Sequence, residues 1–138
     1  MKIQEIMSAK VQTISPDATT KEAARLMHDQ HIGSLPVISA EGELLGIITD
    51  RDICCKVVAT GRDAGWTKVN EVMHKDIATC FDDQEIGDAA ELMTNQHIRR
   101  LAILSRDNSM TGFLSVDDLA HGSHDLAGSV LVATNPVH

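Results

Sequence analysis

The sequence predicts an α+β fold made of two copies of one small β-α-β-β-α unit. When the chain is shifted by 66 residues, Ile3–Ile53 aligns with Val69–Leu119 without a gap, and 15 of the 51 paired residues are identical. In each copy, apolar residues follow a helical period in two segments and short strand-like runs in three. Because both copies of an internal repeat must form the same unit, the duplication predicts two related subunits with related clefts.

The first copy carries local signals for each of its elements. Thr19 and Glu22 form a capping-box pattern at the start of a helix. Gly42 lies in a hairpin turn, where glycine adopts positive φ without strain. The predicted elements are a lead-in helix at Ile3–Met7, a strand at Val11–Ile14, a helix from Thr19, strands at Leu35–Ile38 and Leu44–Ile48, and a helix from Asp50 towards Ala59.

The second copy repeats this order, with one weaker signal. Glu85 stands where Thr19 stands in the first copy, which predicts a weaker N-cap. Ser129–Ala133, beyond the repeat, fits either a strand or a terminal docking segment. The predicted elements are Val69–Met73, Ile77–Cys80, Ile86–Gln96, Leu101–Leu104, Met110–Leu114 and a helix from Val116.

Composition limits the class of protein. A net charge of −8 argues against a nucleic-acid surface, which needs clustered Lys and Arg. No stretch approaches the roughly 20 apolar residues of a membrane span. The three cysteines follow no disulfide-framework spacing, which favours a reducing cytoplasm. We therefore expect a cytoplasmic protein with an aliphatic core, divided into repeat 1 (1–60), a linker (61–68), repeat 2 (69–121) and a tail (122–138).

The strongest chemical signal is a strand that runs into a helix start, found once in each copy. Thr49 and Asp52 occupy this junction in the first copy, and Ser115 and Asp118 occupy it in the second. Backbone N–H groups at a helix N-terminus attract anions such as phosphate. The carboxylate can accept two hydrogen bonds from a vicinal diol such as ribose. The alternative is that each pair is only a capping box.

Three motifs together resemble the CBS domain, and the pair of repeats resembles a Bateman module. They are the Glu-Ala-Ala-x-x-Met helix at Glu22–Met27, the His-Ile-x-x-Leu-Pro-Val segment at His31–Val37, and the Gly-x-x-Thr/Ser-x-x-Asp junction of both copies. The resemblance covers Lys2–Ala120 and extends to the stand-alone type found as small bacterial proteins. It implies tandem CBS repeats packed as a pseudo-twofold pair through their sheets, with adenine nucleotides in the clefts.

The resemblance also implies which residues bind the nucleotide. Ribose would be bound by the two aspartates and phosphate by the neighbouring hydroxyls. Arg100 corresponds to a phosphate-facing basic residue of the family, whereas the first copy has Ser34 there. This difference favours a monophosphate, a dinucleotide or a single occupied site over a triphosphate. The implied nucleotide-binding residues are Thr13, Ile14, Pro36, Val37, Thr49, Asp52, Thr79, Cys80, Arg100, Ala102, Ile103, Ser115 and Asp118.

The leading interpretation is a regulatory module, without enzymatic activity, that senses an adenosine-containing ligand in the cleft between its repeats. The ligands considered are AMP, ADP, ATP and NAD(H), with an S-adenosyl compound also possible. By resemblance, we expect a homodimer that signals to an unidentified effector protein. One alternative is a ligand-free dimerisation and interaction scaffold. Another is a redox or metal sensor that uses Cys54, Cys55 and Cys80.

The histidines give no firm metal site. His28 and His31 are spaced to share a helix face, but His31 recurs as His97 at the other helix end, which favours a structural role. His121, His124 and His138 are too loosely spaced for a zinc site. We therefore expect no metal cofactor.

Overall fold

A computed structural model describes residues 1–134 of the chain. They form two compact units. The first unit is Gln12–Ile77. The second unit combines Met1–Val11 with the chain from Ala78 onward.

The first unit contains a two-stranded antiparallel hairpin and two helical segments. Gly42 sits in the hairpin turn with φ of +88°, as predicted. The second helical segment changes from α-helix to a π-helical turn. The elements are α1 (Thr20–Gln30), β1 (Ser34–Ile38), β2 (Leu44–Thr49), α2 (Asp50–Ile53) and the π turn at Cys54–Val58.

The second unit contains a three-stranded sheet and three helices. In that sheet β3 pairs parallel to β4, and β4 pairs antiparallel to β5. The predicted helix Ile86–Gln96 is found with those bounds. The elements are β3 (Thr79–Phe81), α3 (Ile86–Gln96), β4 (Arg100–Leu104), β5 (Met110–Ser115), α4 (Val116–Gly122) and α5 (His124–Thr134).

The predicted strand Val11–Ile14 is wrong in extent, because only Ile14 pairs, as a parallel bridge to Val37. Its counterpart in the second unit is the longer β3. The difference has a chemical cause at the next positions of the two copies. The Asp82 amide donates to the Leu104 carbonyl at 2.9 Å. Pro16, the equivalent residue, has no N–H and cannot extend the pairing.

The segment beyond the repeat forms helix α5, so the strand alternative for Ser129–Ala133 is wrong. Ala127 and Val130 of α5 are buried in the core of the second unit, where the helix contacts α3 and α4. The docking alternative therefore describes this segment correctly. The predicted tail extends to His138, and its last four residues lie outside the described part of the chain.

Each short lead-in segment packs in the unit that holds the strands of the other repeat. Ile3 is fully buried in the second unit, where its amide donates to the Gln84 carbonyl at 2.9 Å. Val69 is fully buried in the first unit, where its amide donates to the Ala18 carbonyl at 2.8 Å. The lead-in predicted as a helix is a single 3-10 turn in both copies. The compact units thus combine segments from both repeats.

Both cores are aliphatic, as the composition predicts. The first unit buries residues including Leu35, Val37 and Ile48, and the second buries residues including Met93, Leu101 and Leu114. Among the described helices, none is long and apolar enough to cross a membrane.

Candidate functional site

The two strand-to-helix junctions have the same backbone geometry. At the β2–α2 junction, the Asp52 amide donates to Thr49 Oγ1 at 3.1 Å, and the Thr49 amide donates to Asp52 Oδ2 at 2.9 Å. At the β5–α4 junction, the Asp118 amide donates to Ser115 Oγ at 3.1 Å, and the Ser115 amide donates to Asp118 Oδ2 at 2.9 Å. Both pairs are capping boxes, as the structural alternative predicted. Each cap uses one carboxylate oxygen, so the remaining oxygen decides what else the junction can bind.

The other carboxylate oxygen of Asp52 contacts the side chains of Lys56 and His74. Lys56 Nζ lies 3.2 Å and His74 Nε2 lies 2.7 Å from Asp52 Oδ1. The Thr49 hydroxyl lies 3.0 Å from Oδ2 and donates to it. Only 3% of the Asp52 side chain is exposed. The carboxylate is therefore shielded from solvent and fully hydrogen-bonded within its own unit.

Asp118 has different neighbours, because neither Lys56 nor His74 has a similar residue at the equivalent position of the other copy. The residue equivalent to Lys56 is Gly122, and the residue equivalent to His74 is Ser8. Within residues 1–134, the cap with Ser115 is the hydrogen bonding found for the Asp118 carboxylate. The side chain is half-buried. Asp118 therefore retains an oxygen that can accept a further hydrogen bond.

The predicted phosphate-facing arginine lies near this second junction. Arg100 of β4 pairs with Ser115 of β5 in the antiparallel ladder. In the first unit the corresponding pair is Ser34 and Thr49. The structure thus brings a guanidinium-bearing residue, a hydroxyl and the Asp118 carboxylate to one end of the second sheet.

Most of the residues predicted to surround adenine lie on strands, whereas Thr13 and Ile14 lie on the irregular segment before α1. Thr13 and Ile14 line a cleft of about 580 Å³ in the first unit, together with Pro16, Ile38 and Ala40. The Ile14 amide donates to the Pro36 carbonyl at 3.0 Å. Ile14 therefore connects the cleft to β1, where Pro36 and Val37 are buried.

The equivalent positions in the second unit carry bulkier side chains that interact with one another. Phe81 and Arg106 replace Ser15 and Ala40, whereas Asp83 is identical to its counterpart Asp17. The Arg106 guanidinium lies 4.1 Å from the centre of the Phe81 ring, a cation–π contact. The same guanidinium binds Asp83 through Nε at 2.9 Å and Nη2 at 2.8 Å. Hydrogen bonding from Arg106 lowers the pKa of Asp83, although partial desolvation opposes the shift.

Other predicted binding residues of the second unit are mostly buried. Cys80 is only 5% exposed, and its side chain belongs to the hydrophobic core. Ala102 and Ile103 are fully buried in β4, whereas Thr79 is half-buried in β3. The buried side chains of Cys80, Ala102 and Ile103 can therefore contribute to a site only through the position of their strands, whereas Thr79 is partly accessible.

Sequence reasoning missed Lys56 and His74 as neighbours of a candidate ligand group. The four-residue spacing from Asp52 to Lys56 is a local signal for a helical ion pair. No local signal identifies His74, because its position depends on strand-like pairing with Ile47 through hydrogen bonds of 2.8 and 2.9 Å. Pairing between distant segments is a property of the tertiary structure.

The repeated histidines have a backbone role. His31 and His97 end α1 and α3 in the left-handed region, with φ of 55° and 56°. Such a C-cap satisfies carbonyl groups at a helix end. In the part of the chain that the structure describes, no group of three His, Cys, Asp or Glu residues is placed to hold a metal ion.

Comparison with known proteins defines the class to which these repeats belong. The family model described as the CBS domain matches residues 3–58 and 69–125. The chain belongs to the CBS domain family and carries two copies of that domain, as the sequence motifs predicted. It is 39% identical over 138 residues to the CBS domain-containing protein YhcV of Bacillus subtilis, covering 99% of this chain and 95% of YhcV.

Solved structures share the fold. Hypoxic Response Protein I, solved with two coordinated zinc ions, matches with a TM-score of 0.80 and 26% identity over 89% of this chain and 99% of that chain. The CBS domain pair of protein MJ0100, solved with 5′-methylthioadenosine and S-adenosyl-L-methionine, matches with a TM-score of 0.75 and 23% identity over 88% and 94%. CBSX2, solved with AMP, matches with a TM-score of 0.76 and 20% identity over 88% and 94%.

Proposed function

We propose that this protein is a regulatory module of the cytoplasm that binds an adenosine-containing ligand and has no catalytic step of its own. The observation that carries the proposal is the β5–α4 junction, where Ser115 and Asp118 present a hydroxyl and a carboxylate oxygen at a helix start. A carboxylate in this position can accept hydrogen bonds from both hydroxyls of a ribose. Family membership and the AMP and adenosyl ligands of MJ0100 and CBSX2 support adenosine as the recognised group.

The remaining groups of the ligand are assigned by the same reasoning. The Ser115 hydroxyl and Arg100 would bind phosphate, because charge-assisted hydrogen bonds from guanidinium suit phosphate oxygens. In the second unit the base would be bordered by Thr79, Cys80, Ala102 and Ile103. In the first unit the corresponding residues are Thr13, Ile14, Pro36 and Val37. Thr49 and Asp52 are the repeat-related candidates for phosphate and ribose.

Binding would act by shifting a conformational equilibrium. A ligand that binds one of two conformations more tightly raises the population of that conformation. The size of the shift is set by the difference between its affinities for the two conformations. We propose that a homodimer passes this change to an effector protein by contact.

A ligand panel tests the proposal. Thermal-shift and calorimetry measurements would compare AMP, ADP, ATP, NAD(H) and S-adenosylmethionine on the wild type, Asp118→Ala and Asp117→Ala. Asp117 is an exposed neighbour on the same helix turn and serves as the matched control. A ligand present at 100 times its dissociation constant should add about 2.7 kcal/mol to the free energy of unfolding.

The expected result is stabilisation of the wild type and Asp117→Ala by at least one ligand, with a large loss in Asp118→Ala. A flat response across the panel by the folded wild-type protein would contradict the proposal. That result would favour an interaction scaffold, for which both hydroxyl–carboxylate pairs serve only as the helix caps described above.

A further inference from the structure

We propose that Lys56 and His74 close the Asp52 junction, so that the chain binds one adenosine-containing ligand, through Asp118, instead of two. This inference rests on the proposed function, because it states which of the two candidate ribose sites is available.

The first step is the hydrogen-bonding capacity of Asp52. Its Oδ2 accepts from the Thr49 amide and hydroxyl at 2.9 and 3.0 Å, and its Oδ1 contacts Lys56 and His74 at 3.2 and 2.7 Å. A carboxylate offers about four acceptor positions. All four are in use, so a diol could bind only by displacing existing donors.

The second step is that the donors are held in place. Lys56 Nζ also donates to the Val72 carbonyl at 3.0 Å. His74 is fixed on both sides of its peptide by the hydrogen bonds with Ile47 described above. The two side chains come from the π turn and from the lead-in of the second repeat, and both converge on one carboxylate oxygen. The carboxylate is 3% exposed, whereas the Lys56 and His74 side chains are 43% and 55% exposed, so it is the burial of the acceptor that strengthens both contacts.

The third step is the natural comparison at Asp118. Ser8 occupies the same backbone position as His74, since it pairs with Phe113 through two hydrogen bonds of 2.9 Å. Its side chain is too short to reach a carboxylate as an imidazole does. Gly122, in place of Lys56, has no side chain at all. The same backbone therefore leaves Asp118 available in one unit and occupies Asp52 in the other.

The matched variants exchange these residues. Lys56→Ala/His74→Ser opens Asp52, and adding Asp52→Asn to it removes the opened carboxylate. Ser8→His introduces an imidazole beside Asp118 at an exposed position. Gly122→Lys is avoided, because a Cβ there would lie 3.0 Å from Met1 Sδ and 3.1 Å from an Ile86 methyl group.

Calorimetric titration with AMP as the probe measures stoichiometry and affinity on these proteins. We expect one AMP per wild-type chain, two for Lys56→Ala/His74→Ser, and one again when Asp52→Asn is added. Ser8→His and Asp118→Asn should each weaken the wild-type site by about tenfold or more, the cost of about 1.4 kcal/mol.

The outcomes separate this inference from the proposed function. Two equivalent AMP sites on the wild type would overturn the inference and leave the proposed function intact. Unchanged stoichiometry in the opened variant, with its fold confirmed by circular dichroism, would overturn the inference as well. Absence of AMP binding to every variant, repeated with the other ligands of the panel, would overturn the proposed function and this inference together.

Discussion

At the scale of single residues, identical amino acids of the two repeats have acquired different surroundings. Asp52 and Asp118 accept the same capping hydrogen bonds, yet Asp52 is buried against Lys56 and His74, whereas Asp118 is half-buried. The cause is substitution at neighbours, not at the aspartates. A duplicated sequence pattern therefore predicts where a carboxylate is placed. The residues around that carboxylate decide whether it can accept a further hydrogen bond.

The cysteines illustrate the same dependence on surroundings. Cys54 and Cys55 are exposed in the π turn, and Cys80 is buried in β3. Desolvation raises the pKa of the Cys80 thiol, and the nearby negative charge of Asp88 adds to the shift. Since the thiolate is the reactive species, a buried thiol with a raised pKa reacts slowly.

We predict that Cys80 reacts at least about tenfold more slowly with Ellman's reagent in the folded protein than in urea. The Cys54→Ser/Cys55→Ser variant isolates this thiol. The folded state keeps the thiol proton where the unfolded chain loses it, so stability should fall as pH rises past the ordinary thiol pKa of about 8.5. Fast, complete reaction of folded Cys80 at pH 8 would contradict the burial and favour the redox alternative.

At the scale of elements, the two long helices begin with different caps. Thr19 accepts a hydrogen bond from the Glu22 amide at 3.1 Å, and the Glu22 carboxylate accepts from the Thr19 amide at 3.3 Å. Glu85 makes no side-chain cap of this kind, as the sequence predicted. It instead pairs with the terminal ammonium of Met1 at 3.0 Å.

We predict that Thr19→Ala lowers the free energy of unfolding by about 1 kcal/mol, because a helix amide loses its acceptor. Glu85→Ala, at the same place in the second repeat, should have less than half this effect, since an exposed ion pair contributes little. Urea unfolding followed by circular dichroism measures both. Equal losses for the two variants would contradict the predicted advantage of the Thr19 cap over Glu85.

Gly46 and Gly112 occupy the same position in the two copies, where a strand passes close to the backbone of a lead-in segment. A Cβ added to Gly46 would lie 2.6 Å from the His74 carbonyl oxygen, and one added to Gly112 would lie 2.8 Å from that of Ser8. Both contacts are with backbone, which cannot move aside as a flexible side chain can. Glycine therefore permits the lead-in segment to pair with the strand, and it thereby places His74 beside Asp52.

At the scale of the whole molecule, each compact unit depends on a segment encoded in the other repeat. The first unit buries Val69 and Val72 of the second lead-in, and His74 pairs with its strand β2. Chains of about 60 residues bury only about 60% of their unfolded surface and are marginally stable. Loss of two core valines and a strand partner should therefore decide whether such a unit folds.

We predict that a fragment of residues 12–77 unfolds cooperatively on heating, whereas residues 12–68 and residues 1–60 show little helical signal. The three fragments share most of the first repeat and differ in whether the second lead-in is present. Thermal melts monitored by circular dichroism at 222 nm test this. A fragment 12–68 as stable as 12–77 would show that the lead-in is dispensable.

The sequence alone determined the features that depend on neighbouring residues. The duplication, the helix Ile86–Gln96, the hairpin at Gly42 and both hydroxyl–carboxylate junctions follow from periodicity, turn residues and capping patterns. The proposed ligand class is what the resemblance of these motifs to the CBS domain implies. Local rules also explain the shortened strand at Ile14 once the missing amide of Pro16 is considered.

Only the tertiary structure decided which distant segments meet. It placed His74 beside Asp52, set Arg106 over Phe81, buried Cys80 in the core and docked α5 on the second unit. Each of these depends on residues far apart in the chain whose contacts form only when the core assembles. No local pattern encodes such contacts, because side-chain burial and cross-strand pairing are properties of the packed unit as a whole.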